Sequence, residues 1–263
     1  MNTKNLEFLK DSLKYLGFGD KLNAELEKNI DQQPDKFQLK TIGEFKQGDR
    51  KEQVDYSLDF KKSEKTDMYF FNGYKATLKN EDPEKEKSQY FYINVNSGIT
   101  AKEAFNLLSG RAVHKELMNA DKNKFQAWLQ LDFTQKDKHD NFKINQYHSG
   151  YGYDLAQTLT NYPIKELTSL EDTEKMLKSL EKGNVHKVTF LSDGNEQPMF
   201  IEANPKYKTL TVYDAQMKKI FQSADREQKT TADMAKEKKE TLKGEQDDDD
   251  PSRKQKKKRG MRV

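Results

Sequence analysis

Beyond Ala224 this chain contains no Phe, Tyr or Trp, which limits where a core can form. Its 12 Tyr, 15 Phe and one Trp all precede that point, so an apolar interior must come from roughly the first 220 residues. Past it Lys, Glu, Gln, Thr and Asp dominate. No segment there can bury enough apolar area to offset the ~1–2 kcal/mol per residue that backbone ordering costs. Residues 223–263 therefore read as a disordered tail.

Charge is segregated in that tail. Four aspartates at 247–250 run directly into Arg253, Lys254, Lys256, Lys257, Lys258, Arg259 and Arg262. The last 17 residues carry +3, as does the whole chain of 47 Lys and Arg against 44 Asp and Glu. The rest is electrically balanced, so a nucleic-acid footprint is expected on the basic run, where counterion release gives weak, sequence-blind, salt-dependent binding of DNA or RNA.

With no cysteine, disulfides, thiol nucleophiles and cysteine-ligated zinc are excluded. The opening residues lack an apolar run, and no later stretch approaches the ~18 apolar residues of a membrane span. The expectation is a cytoplasmic protein with no membrane contact.

Leu6, Leu9, Leu13 and Leu16 draw one apolar stripe, and Leu22, Leu26 and Ile30 a second, with Asp20 placed to cap the latter helix. Residues 1–34 read as an N-terminal helical hairpin. From Phe37 the period changes to two: Val54, Tyr56, Leu58 and Phe60 alternate with polar neighbours. Strands are expected over 68–78 and 90–95, separated by an exposed loop over 80–87. Thr100 and Glu103 have capping-box spacing and open a helix through Leu108.

The cleanest strand is 124–133, with Phe125, Ala127, Leu129, Leu131 and Phe133 on one side and Gln126, Trp128, Gln130 and Asp132 on the other. Residues 142–147 return antiparallel. Helices follow over 154–161 and 169–182, then strands over 185–191, 199–203 and 209–213. The fold class is α+β: a helical hairpin, then a body over 35–222 of antiparallel sheets with short helices in two sheet-then-helix blocks, then the tail.

The strings DSLKYLGFGDKLNAELEKNI, MYFFNGYKATLKNEDPEKEKSQYFYIN, SGITAKEAFNLLSGRAV, YPIKEL and MFIEANPKYKTLTVYDAQMKK cover much of 5–220. In them the chain resembles an uncharacterised domain family of Bacteroidales, found in proteins of conjugative elements. The resemblance implies a bacterial cytosolic protein that travels with mobile DNA, and it supplies no catalytic residues.

His114, His139, His148 and His186 never fall three or four apart, so no metal site is expected. There is no nucleophile elbow and no phosphate-binding glycine loop, and no cofactor is expected. Arg111 follows a helix-ending glycine, where it can grip a phosphate or complement its own helix's dipole. Tyr147, Tyr151, Tyr153 and Trp128, beside Lys124 and Lys143, can stack bases or pack a core. The resulting reading is a non-enzymatic accessory protein whose body binds a protein partner and whose tail binds nucleic acid. Alternatives are an enzyme acting on nucleic acid through carboxylates, and a pure protein-interaction or inhibitor module.

Overall fold

A computed structural model of the chain describes residues 2–47, 50–93, 98–119, 121–192 and 194–220. The expected disordered tail and its seven basic side chains lie outside the described residues. One compact unit spans Met1–Lys219, and three antiparallel sheets, each a meander in chain order, alternate with helices within it. The fold is thus α+β.

Helix α1 (Thr3–Tyr15) starts where the Asn2 side chain accepts from the Asn5 N–H, and α2 (Asn23–Gln32) follows. Asp20 does not cap α2 with its side chain: the N-cap is Leu22, and Asp20 instead closes a turn by accepting from Asn23 N–H through its carbonyl. The stripes are buried as the periodicity requires, except that Leu16 at the end of the first is only half-buried. They lie against the first sheet, α1 touching β3 (Tyr69–Leu78) and α2 touching β1 (Lys36–Gln47).

With β2 (Arg50–Lys62) and β4 (Lys87–Tyr92), these strands form the order β1-β2-β3-β4. Leu39, Val54, Tyr56, Leu58, Tyr74 and Phe91 fill its inner face. Buried tyrosines need a partner for the hydroxyl, and Tyr56 and Tyr74 donate to the carbonyls of Ala101 and Ile99 at 2.7 and 2.5 Å. They thereby grip the entry to α3 (Ala101–Leu108). Its capping box is complete, Thr100 N–H reaching Glu103 at 2.8 Å and Glu103 N–H reaching Thr100 at 3.3 Å.

The second sheet is β5 (Val113–Met118), β6 (Lys124–Lys136) and β7 (Phe142–His148). Strand β5 is absent from the sequence reading because its apolar positions are few and diluted by His114, Lys115 and Glu116. Helices α4 (Leu155–Leu159) and α5 (Leu170–Glu181) begin at Asp154 and Ser169, whose side chains accept from Gln157 and Asp172. The third sheet is β8 (His186–Ser192), β9 (Asn195–Asn204), β10 (Thr209–Tyr213) and the two-residue β11 (Lys219–Ile220).

An exposed edge on β4 would invite unwanted strand pairing. Residues 141–142 cover part of it. Tyr90 N–H donates to Asn141 Oδ1 at 2.8 Å, and the Gln89 amide accepts from Phe142 N–H at 2.8 Å while donating to its carbonyl at 3.4 Å. A second side-chain amide does the same at the other end of the sheet. Asn5, on the buried side of α1, accepts from Tyr69 N–H at 2.8 Å and donates to Tyr69 carbonyl at 3.0 Å.

Candidate nucleic-acid interface

The turn after α3 places Arg111 in the interior, 5% exposed. Its Nε donates to the Gly183 carbonyl at 2.9 Å, one terminal nitrogen donates to Asn106 Oδ1 at 2.7 Å, and the guanidinium lies 4.9 Å from the Phe105 ring centre. Asn106 also donates to the Lys182 carbonyl at 2.6 Å. A helix leaves its last carbonyls without internal partners, and α5 ends here. The Arg111 side chain thus serves the C-terminal end of α5, while its main-chain N–H closes its own helix by donating to the Asn106 carbonyl at 3.0 Å. Burial holds its pKa below the ordinary arginine value, opposed chiefly by the charge of Glu202.

Glu202 faces this arginine from β9. Its neighbours Ile201 and Ala203 point into the core of the third sheet, so the pleat turns Glu202 to the opposite face. There it accepts from Tyr213 Oη at 2.9 Å. Burial raises the Glu202 carboxyl above its ordinary range, against the lowering effects of that hydrogen bond and of Arg111. Tyr213 is raised as well, by burial and then by the adjacent carboxylate. Sequence reasoning missed both residues. The one available signal was a charged position inside an otherwise apolar strand.

The aromatic set divides. Trp128 and Tyr153 are buried edge to face at 5.5 Å, with His114 5.0 Å from Trp128 on the other side. The polar face of β6 is therefore covered at its centre, and base stacking by these two rings is ruled out in this arrangement. Tyr147 and Tyr151 stay at the surface, 4.9 Å apart. Lys208 Nζ sits 4.8 Å over the Tyr151 ring, and the Tyr151 hydroxyl donates to the Lys206 carbonyl at 2.8 Å. Lys206 in turn lies 5.4 Å from the Tyr207 ring. Two exposed ammonium groups are thus fixed on a corner of three tyrosines, a geometry that can hold a phosphate while the rings pack beside it.

Lys124 is apart from this corner, paired with Glu116 at 2.9 Å on β5. Among the described residues no group of three or more His, Asp or Glu side chains could hold a metal ion, and no helix is long and apolar enough to cross a membrane. No family model, no curated protein and no solved structure matches the chain.

Proposed function

We propose that this chain is a non-enzymatic accessory protein of a bacterial mobile element, working in the cytoplasm. Its α+β body binds a protein partner, and its basic end adheres to nucleic acid without regard to sequence. The observation that carries the reading is the segregation of charge: seven cations between 253 and 262 follow four aspartates at 247–250, while residues 1–246 sum to zero. Such a run releases counterions on meeting a phosphate backbone. The fixed ammonium groups of Lys206 and Lys208 add support from the body. For the protein contact, the support is α1, which turns Phe8 (68% exposed) and Tyr15 (82% exposed) outward, seven residues apart on one side of the helix.

A filter-binding titration with duplex DNA tests the nucleic-acid part. In the full-length chain, changing the seven Arg and Lys residues between 253 and 262 to Gln should remove the steep salt dependence, worth a slope of about −0.9 per phosphate contacted. An unchanged slope refutes it. The protein part predicts a partner captured from cells that resists nuclease and is lost with Tyr15→Asp.

A second reading, an enzyme acting on nucleic acid, is favoured by the raised carboxyl of Glu202 beside Tyr213 and Arg111. It requires Glu202→Gln to abolish a measurable turnover while nucleic-acid binding persists.

A further inference from the structure

The first sheet has a second, outward face. By pleat alternation β1 offers Lys36, Gln38, Lys40, Ile42, Glu44 and Lys46 there, and β2 offers Lys51, Gln53, Asp55, Ser57, Asp59 and Lys61 opposite them. Strand β3 adds Lys75, and β4 adds Tyr90 and Tyr92. Lysines outnumber acids on this face. Among the described residues Lys36, Lys40 and Lys75 make no ion pair.

Two rings lie at its β4 side. Tyr90 is drawn across β3, with its ring edge and hydroxyl so close to Gly73 that an added Cβ there would meet Tyr90 Cε1 at 2.7 Å and Oη at 2.9 Å. The absence of a side chain at Gly73 lets the ring lie down on the sheet, one broad side outward. The hydroxyl lies beside the Asp59 carboxylate on β2, which adds to burial in raising the Tyr90 phenol above its ordinary value. Tyr92 stands against it at 4.8 Å and 62° and is 65% exposed.

Three adjoining concavities of about 490, 340 and 440 Å³ all share Tyr90 in their walls. The first reaches Lys36 and Lys61, the second Lys75, and the third Lys136, Lys143 and Ile144. Along β7, Lys143, Asn145 and Tyr147 occupy alternate positions of one face, so the track runs on toward the tyrosine corner described above.

The aspartates along this track are occupied. Asp59 accepts from Gln38 at 2.7 Å, Asp55 from Gln53 at 2.7 Å, and Asp140 pairs with Lys136 at 2.7 Å. Asp137 accepts from the N–H groups of His139 and Asn141 at 2.8 and 3.0 Å. The hydroxyls of Thr77 and Ser88 are bonded to one another. Lys36, Lys40 and Lys75 and the open ring faces are left, and Lys143 donates to Gln135 Oε1 at 3.3 Å.

We infer that this face is a stacking platform for single-stranded DNA, with Tyr90 and Tyr92 against the bases and Lys36, Lys40, Lys75 and Lys143 against the phosphates. Duplex bases have both faces covered by their neighbours, so exposed rings select unpaired bases. RNA sites add contacts that recognise the 2′-hydroxyl, and here the side chains of Gln38, Gln53, Thr77 and Ser88 are already bonded to neighbours. The inference rests on the nucleic-acid reading above but places the single-strand site on the body rather than the basic end.

Fluorescence anisotropy with a labelled thymidine 20-mer separates the two, using the full-length chain whose seven cations between 253 and 262 are changed to Gln. That chain should still bind the oligonucleotide. Adding Tyr92→Ala should weaken binding about tenfold and Tyr92→Phe should restore it, since each stacked base contributes that much. Lys75→Gln should lower the salt slope by about 0.7. Melting curves check that each variant is folded, and Tyr92 is exposed enough to be replaced without disturbing the core.

Loss of all binding on neutralising the basic end leaves the adhesive reading standing and overturns the platform. Binding kept there but lost with Tyr92→Ala supports the platform, and the basic end is then dispensable for single strands. Tighter binding of a uridine 20-mer than of the thymidine one overturns the assignment to DNA. So does a nuclease-resistant protein that co-purifies with the chain and is released by Tyr92→Ala.

Discussion

Arg111 Nε donates to the carbonyl of Gly183 at 2.9 Å, so the turn leaving α3 closes the C-terminal end of α5 across 72 positions of sequence. Asn106 completes the closure from within α3, donating to Lys182 and accepting from Arg111. The second sheet is thereby tied to the helix that leads into the third.

Replacing this arginine should be costly because its partners are buried and have no water to turn to. Arg111→Ala leaves the Gly183 carbonyl and Asn106 Oδ1 short of a donor and should destabilise the chain by about 3 kcal/mol in urea unfolding. Arg111→Lys keeps the charge without the planar fork and should recover only part of that loss. A change under about 0.5 kcal/mol for the alanine variant contradicts the closure.

Gly183 sits at φ +76°, and a Cβ there would meet the Ala112 carbonyl at 2.7 Å and Val113 Cγ2 at 3.0 Å. Both the backbone conformation and the close approach exclude a side chain. Gly183→Ala should cost ~2–4 kcal/mol, read from the shift in urea midpoint, and a neutral result would show that the two segments can separate freely.

For Glu202 the pH dependence has a definite sign. Its folded pKa lies above the ordinary 4.5, so the folded chain holds this proton more tightly than the unfolded one. Stability from this group is complete below the ordinary value and declines as pH climbs through the raised one. Glu202→Gln imitates the protonated form. The stability difference between variant and wild type should therefore be small near about pH 4 and should move in the variant's favour toward about pH 8. A difference that is flat, or that moves the other way, refutes the assignment.

Asn5 pairs both amide atoms with the backbone of Tyr69. Asn5→Leu keeps the branched shape of the side chain and the helix, yet leaves a buried N–H and carbonyl unpaired. The expected cost is ~2–3 kcal/mol, with amide exchange at Tyr69 accelerated. Unchanged exchange at that position would mean the pair contributes little.

Much of this architecture was legible before any coordinates. The capping box at Thr100 and Glu103, the helix starts at Asp154 and Ser169, and the alternation from Phe125 to Phe133 appear where the sequence pattern puts them. Each depends on residues within a turn or a strand of one another. Strand β5 is hard to read because its apolar alternation is too short to stand out, and Trp128 is left between base stacking and core packing because a strand's own period cannot show what lies across from it. Arg111 follows α3 in sequence, but its side chain reaches across to the end of α5. The rings at Tyr90 and Tyr92 carried a usable signal: two aromatics at alternate positions on the polar side of a strand.

Most of the helices and strands, the apolar stripes and the zero net charge of residues 1–246 were determined by sequence alone, since periodicity and capping are written in neighbouring residues. Only the tertiary structure decided that Asn5, Gln89 and Arg111 would be buried and Tyr92 left open. Their hydrogen-bond partners and coverings lie on distant segments, and a polar group's burial is settled by which donor or acceptor the folded chain brings to it.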